Sequence, residues 1–308
     1  MKLKIILLVS IFLAARSNAQ DSVSSVDTPD TTAVFSTFDE NITQGNKENG
    51  KIYHINKAVD YPITLALGGT SIYMLTVIYS KKATPAADIL KLSKNSVPSY
   101  DRWTAGWYDA NLNTISYYPF YAVMPLPLIL LIDKKIAPDK GTIGVMYLES
   151  FAFEGILYTS SVYFANRYRP KVYDTSLSLS YRTNGNYRNS FFAGHVAVVA
   201  NTTFFMSSVY MSYHPHSNLK WVLYGASTAA TLGMSYLRLY AGEHFTSDIV
   251  TGIAVGVGCG LLTPALHKNK DFKKQRWSLM PNLLENGSGG FTFTYQLSSP
   301  KRGLSSIQ

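Results

Sequence analysis

From residue 61 onward the chain alternates long apolar runs with short polar ones, and the spacing predicts helices that cross a bilayer. The run 61–80 holds about 20 residues, roughly 30 Å as a helix, which matches a hydrocarbon core. Residues 81–117 are polar but carry Tyr100, Trp103, Trp107 and Tyr108, a pattern for short amphipathic helices lying on a membrane. The run 118–132 is apolar and should be kinked by Pro125 and Pro127. The run 142–164 contains Glu149 and Glu154. Carboxylates are costly in lipid, so both are expected to face the bundle interior in structural hydrogen bonds. Three more apolar runs follow at 191–213, 221–240 and 245–266. In the last, Gly252, Gly256 and Gly260 recur every fourth residue and give one face of the helix a close-contact surface. Tyr117, Tyr118, Tyr210, Tyr213, Trp221 and Tyr240 fall at the ends of these runs, where amphipathic rings settle at headgroup level. The pattern predicts an all-α helical bundle of six transmembrane helices. Beyond it, residues 290–295 alternate like a strand, and a short C-terminal β-hairpin is expected.

The ends read differently. Residues 1–19 carry Lys2 and Lys4, an apolar stretch too short for a comfortable span, and small residues before Gln20. This is the pattern of a secretory signal peptide. Residues 20–60 are a polar, extended or disordered segment, residues 61–267 the membrane helical domain, and residues 268–308 a basic tail. These polar ends explain why mean hydropathy is only +0.02 although 46% of residues are hydrophobic and 15% charged. Lys268, Lys270, Lys273, Lys274 and Arg276 read as a topological signal, since Lys and Arg collect on the cytoplasmic side; nucleic acid is not an expected partner. Two topology signals disagree. A cleaved signal followed by six spans places the catalytic loops inside, whereas the basic loop 134–140 and the basic tail place them outside. The expected location is a cell-envelope membrane, the inner membrane of a bacterium. The single cysteine, Cys259, lies among glycines and reads as a buried small residue.

Chemistry is concentrated in three polar patches between residues 166 and 248. The first is Asn166-Arg167-Tyr168-Arg169-Pro170, the second ends in Ala193-Gly194-His195, and the third runs from Arg238 through His244 to Asp248. Two histidines, several arginines and an aspartate suit phosphoryl transfer without a metal. Arginine forks bind phosphate oxygens bidentately, one histidine attacks phosphorus, and the other protonates the leaving oxygen. His244 and Asp248 are four apart and share a helix face, so Asp248 is expected to accept a bond from His244 and fix its tautomer. No carboxylate cluster for a two-metal site accompanies them, and neither metal nor cofactor is expected. The pair His214 and His216 supplies two ligands at most and reads as a turn.

Together the patches resemble the type 2 phosphatidic-acid phosphatase superfamily, whose signature is K-x6-R-P, P-S-G-H and S-R-x5-H-x3-D. Arg169-Pro170, Gly194-His195 and Arg238, His244 and Asp248 match in order and spacing. The family lysine falls at Val162. Phe192 and Ala193 stand for the proline and serine of the second motif, and Leu237 for the serine of the third. Lys171 or Arg167 is a candidate for the missing cation.

The resemblance implies a metal-independent hydrolase of a phosphomonoester or pyrophosphate, on a membrane lipid, through a phosphohistidine on His244. His195 is then the acid, Asp248 the orienting group, and Arg169, Arg238, Gly194, Arg167 and Lys171 the phosphate cradle. Substrates it suggests are phosphatidic acid, undecaprenyl pyrophosphate, phosphatidylglycerophosphate and lipid A. A soluble periplasmic acid phosphatase and a phosphate-binding pseudoenzyme are the alternatives, the latter motivated by Val162 and Ala193.

Overall fold

The computed structural model describes residues 51–269, 277–283 and 289–295. The expected signal peptide, most of the polar N-terminal segment and most of the basic tail lie outside these residues. Six long helices form the framework: α1 (Asp60–Tyr79), α2 (Ala110–Val123), α3 (Lys140–Ala165), α4 (Gly194–Tyr213), α5 (Leu219–Tyr240) and α6 (Thr246–His267). Five of them start and end within three residues of the apolar runs. The exception is α2, which begins well before its run, capped by the Asp109 side chain accepting from Leu112 N–H at 2.9 Å. It stops at Val123. Pro125 and Pro127 then divert the chain into 3-10 turns over Leu126–Ile132, since proline removes the helical N–H and clashes with the preceding turn.

Among the described residues, three segments are long and apolar enough to cross a membrane: Asp60–Tyr79, Ala110–Ile132 and Thr246–His267. The expected six reduce to three by this measure because α3, α4 and α5 carry polar side chains that the fold turns inward. Glu149 and Glu154 of α3 are buried, as are Asn201, Thr202, Thr203 and Ser207 of α4 and Ser227 and Thr231 of α5. Glu154 accepts from Asn201 Nδ2 at 2.7 Å, and Ser207 and Ser227 share a hydroxyl bond at 2.9 Å. Outward positions of α1, α3, α5 and α6 are apolar: Leu65 is 75% exposed and Trp221 77%, with Ile72, Leu148, Phe164, Val222, Val250 and Leu262 also open.

Helix α4 lies at the centre, packed against α6, α5, α3 and α2, and α1 packs on α3. The α4–α6 contact is the closest, and the glycine face explains it. A Cβ on Gly252, Gly256 or Gly260 would come within 2.7, 2.3 and 2.5 Å of the carbonyl oxygens of Ala193, Ala197 and Asn201. Residues four apart on α6 thus ride on residues four apart on α4, which fixes the starts of both helices side by side. One apolar cluster, Ala193, Val196, Val199, Met234 and Ile249, packs beneath those starts. Another, including Ile143, Met146, Phe205, Val209 and Tyr213, fills the opposite end. There His214 Nε2 pairs with Asp133 at 2.8 Å and the ring stacks on Tyr210. The expected C-terminal hairpin is present: β1 (Trp277–Leu283) pairs antiparallel with β2 (Gly289–Tyr295), Trp277 opposite Tyr295.

Candidate active site

The three polar patches meet at the end of the bundle where α3 and α5 finish and α4 and α6 begin. Asn166 takes the left-handed conformation, φ 45°, and its N–H caps the Val162 carbonyl. That turn ends α3 and releases Arg167–Pro170. Arg169 precedes a proline, which disfavours helical geometry, and it is extended at φ −75°, ψ 153°. Backbone bonds then stitch the loops together. Arg169 N–H donates to Tyr187 O at 2.8 Å, Lys171 N–H to Gly242 O at 3.0 Å, Ser190 N–H to Arg167 O at 3.1 Å and Ala193 N–H to Asp248 O at 3.0 Å. Gly242, at φ 69°, is required where it stands: a Cβ there would lie 1.8 Å from the Trp107 carbonyl.

Three cations converge on one buried carboxylate, Glu243. Arg169 Nη1 pairs with Glu243 Oε2, Lys171 Nζ donates to Oε1 at 2.5 Å, and Arg238 Nη2 lies 3.5 Å from Oε2. Arg238 is 1% exposed; its Nη1 donates to Asn113 Oδ1 and Ser116 Oγ, both at 2.8 Å. The Nε donors of Arg169 and Arg238 are buried without a hydrogen-bond partner among the described residues. Buried donors are nearly always paired, so these two are spare capacity for an anion. Lys171 is roofed by aromatic faces, with Tyr187 at 4.0 Å and Tyr181 and Tyr108 near 6 Å. Burial and the charges of Arg169 and Arg238 push its ammonium down to about 6, while the Glu243 carboxylate pulls the other way.

His244 is 1% exposed, and its Nδ1 is 2.6 Å from the Ser190 carbonyl. A carbonyl only accepts, so Nδ1 carries the proton and Nε2 keeps its lone pair. Burial, then the charges of Arg169 and Arg238, hold the imidazole well below its ordinary range, with His195 adding to the effect. The ring is therefore neutral at neutral pH. His195, in the first turn of α4, lies against Phe120 at 4.2 Å and edge-on to Tyr117 at 5.1 Å. Its Nε2 is buried with no hydrogen-bond partner among the described residues. Two helix starts, those of α4 and α6, frame the site, and each favours negative charge.

Asp248 does not do what its spacing suggested. Its hydrogen bonds go to Arg167 Nη1 at 2.5 Å, Ser190 Oγ at 2.6 Å and Phe245 N–H at 2.8 Å. The last is a helix-start cap, and the His244 ring is not among the partners of the carboxylate. Asp248 reaches His244 through Ser190, which gives it a hydroxyl and offers its own carbonyl to the imidazole. Arg167 is also placed differently from expectation. It is drawn off the cradle into a fork between Asp248 and Asp101, whose Oδ2 is 2.6 Å from Nη2. Asp101 also accepts from the Ser247 N–H and hydroxyl at 2.9 and 2.6 Å.

Residues 143–272, which contain every one of these motif residues, match the family model of the PAP2 superfamily. Within that stretch the chain is similar to the PAP2 superfamily. A solved structure described as a transmembrane PAP2-type phosphatidylglycerolphosphate phosphatase from Bacillus subtilis is similar at 17% identity. The match covers 69% of this chain and 98% of that one, with a TM-score of 0.42. No curated protein matches.

Where the chain departs from the signature, other residues stand nearby. Val162 replaces the motif lysine, but Lys81 arrives from the end of α1 and donates to the Val162 carbonyl at 3.3 Å and to Asn166 Oδ1 at 2.9 Å. Lys171, not Arg167, is the cation that joins Arg169 and Arg238. The Ala193 side chain sits in the apolar cluster beneath the site, and Gly194 packs its bare Cα against the Tyr158 ring, 2.8 Å from where a Cβ would stand. Sequence reasoning missed Glu243, Asp101, Ser190, Asn113 and Ser116. Only Glu243 carried a signal, an acid placed between a glycine and a motif histidine.

Proposed function

We propose that the protein is a phosphatase acting on a phosphomonoester or pyrophosphate of a membrane lipid, through a phosphohistidine on His244. The observation that carries this reading is the cradle: Arg169, Arg238 and Lys171 already gathered on a carboxylate, with two arginine Nε donors unused, beside a neutral histidine. The substrate phosphate takes the place of the Glu243 carboxylate among Arg169, Lys171 and Arg238. His244 Nε2 forms a bond to phosphorus as the bond to the leaving oxygen breaks, and His195 Nε2 delivers a proton to that oxygen. Water then attacks the phosphohistidine, His195 takes its proton, and the P–N bond breaks to release phosphate. The lipid assignment is supported by the exposed apolar helix faces and by a chain of contacting aromatics. Trp103 meets Trp107 at 5.0 Å, Trp107 meets Tyr240 at 4.8 Å, and Tyr240 meets Tyr236 at 4.4 Å, a set suited to headgroup level.

The test is a panel of lipid phosphates and soluble phosphomonoesters offered to the protein purified in detergent. Release of inorganic phosphate from a lipid is the expected result. Turnover of soluble esters alone would favour an acid phosphatase, and phosphate binding without turnover a pseudoenzyme. Vanadate, which mimics five-coordinate phosphorus, should inhibit competitively. Glu243→Gln removes the competing charge and should tighten vanadate binding by about tenfold; unchanged or weaker binding would show that the carboxylate does not occupy the anion position.

The cradle also predicts a pH dependence. As pH rises through about 6, Lys171 loses its proton and the cradle one positive charge, so kcat/KM should fall on the alkaline side. Lys171→Arg keeps its charge and should flatten that limb. The second ionisation of the substrate, also near ~6, is common to both proteins, so the difference between their profiles reports Lys171. Superimposable profiles would remove Lys171 from the cradle.

A further inference from the structure

At the end of the bundle remote from the cradle, three helices each bring one metal-ligating side chain to the same point. Asp60 is the first residue of α1, Glu149 lies on α3, and His267 is the last residue of α6. One donor atom from each lies within 4.8 Å of the others. His267 Nε2 is 3.1 Å from Glu149 Oε2 and 3.5 Å from Asp60 Oδ2. At roughly 1.5 Å per residue, His267 stands about 28 Å along α6 from Asp248, so this cluster is separate from the phosphate site.

Two features point to a ligand there. Glu149 is 6% exposed, and among the described residues its Oε2 meets no donor other than the His267 ring nitrogen 3.1 Å away. His267 Nδ1 is 2.9 Å from the Thr263 carbonyl, which only accepts, so Nδ1 holds a proton and Nε2, the atom that faces the two carboxylates, is the one left to bind an ion. This is the usual arrangement behind a metal-bound histidine, whose second nitrogen donates to a carbonyl. Asp60 Oδ2 is steadied in turn by the Asn56 N–H at 2.7 Å. The spacing fits as well: donors about 2.1 Å from a tetrahedral ion stand roughly 3.4 Å apart, between the two separations observed. Charge argues the same way. Two carboxylates with a protonated imidazole leave one uncompensated negative charge in a mostly buried place, which is costly; with a neutral imidazole and a divalent cation the cluster is neutral.

We propose that Asp60, Glu149 and His267 form a binding site for a first-row divalent cation, zinc being the ion best suited to one imidazole and two carboxylates. The ion would tie the start of α1 and the end of α6 to α3, and it takes no part in phosphoryl transfer.

The experiment uses the full chain purified in detergent, stripped with chelator and dialysed against dilute zinc, with bound metal measured by elemental mass spectrometry. The wild type should retain one zinc per chain, and zinc should raise its thermal midpoint. Glu149→Gln and His267→Gln should lose the bound zinc and the thermal response, and Asp60→Asn should weaken binding at least about tenfold. Cobalt in place of zinc should give the visible absorption of a tetrahedral site in the wild type alone. Vanadate binding at the remote cradle shows that each variant is folded. Wild-type protein that holds no zinc above background, or variants that are folded and hold as much, would overturn the proposal and leave the three residues as an ion-paired triad.

Discussion

His244→Ala should lose turnover on every substrate, on the order of 10⁵-fold or more, and should form no phosphoenzyme. His195→Ala should fail selectively. The buried His244 has a free Nε2 and a proton fixed on Nδ1 by the Ser190 carbonyl, the tautomer a nucleophile needs. His195 has an unpartnered Nε2 against the rings of Phe120 and Tyr117, the position of a group that meets its partner only when substrate is bound. An alkyl phosphate has a poor leaving group and needs the proton, so His195→Ala should slow its cleavage by roughly 10²–10⁴-fold. An activated aryl phosphate leaves without that help, and its first step should be nearly unchanged. Quenched-flow kinetics on alkyl and aryl substrates separates the cases. Equal loss of both substrates in His195→Ala would remove the acid role, and residual phosphoenzyme in His244→Ala would move the nucleophile elsewhere.

Asp248→Ala should be the most destabilising single change near the site, by about 3–5 kcal/mol. The carboxylate is fully buried and accepts from Arg167, Ser190 and Phe245 N–H. Deleting it leaves the half-buried Arg167 with Asp101 alone, leaves the Ser190 hydroxyl unpaired and uncaps the start of α6. Asp248→Asn keeps an acceptor oxygen for Ser190 and Phe245 and loses only the charge facing Arg167, so it should cost distinctly less. Denaturant unfolding of the three proteins measures both. Because Asp248 reaches His244 only through Ser190, Ser190→Ala should lower kcat in the same direction as Asp248→Asn. A Ser190→Ala protein with wild-type kcat and stability would contradict that chain of contacts.

Much of this was readable from the chain, and the reasons are physical. Helix limits followed hydropathy because outward faces must be apolar over a fixed length. The glycine face of α6 was legible because a period of four has one use on a helix. The order of Arg169, His195, Arg238 and His244 marked the site because each chemical group it needs is a side chain. What escaped was whatever depends on non-local partners. Glu243 is an ordinary acid until Arg169 and Lys171 arrive from residues some seventy positions upstream. Asp101 sits in a polar stretch whose sequence says nothing of Arg167. The group that fixes the His244 tautomer is the backbone carbonyl of Ser190, and a carbonyl leaves no mark in a sequence. Spacing alone gave that task to Asp248, but the capping bond to Phe245 claims its carboxylate first. That only three segments qualify as spans by length and composition among the described residues has a related reason: the run containing Glu149 and Glu154 looks continuous in hydropathy, yet its acids are spent on Asn201 and on the cluster around His267.

The most direct test is chemical identification of the phosphorylated residue. Wild-type protein is mixed with a labelled lipid phosphate in detergent, quenched under base in the steady state, digested and mapped by mass spectrometry. A base-stable, acid-labile phosphoryl group is expected on the peptide containing His244, absent from His244→Ala and, with an activated aryl phosphate as donor, accumulating in His195→Ala, where the water-activating step is slowed. A phosphoryl group on any other residue, or full turnover with no trapped phosphoenzyme under conditions where a phosphohistidine survives, would contradict it.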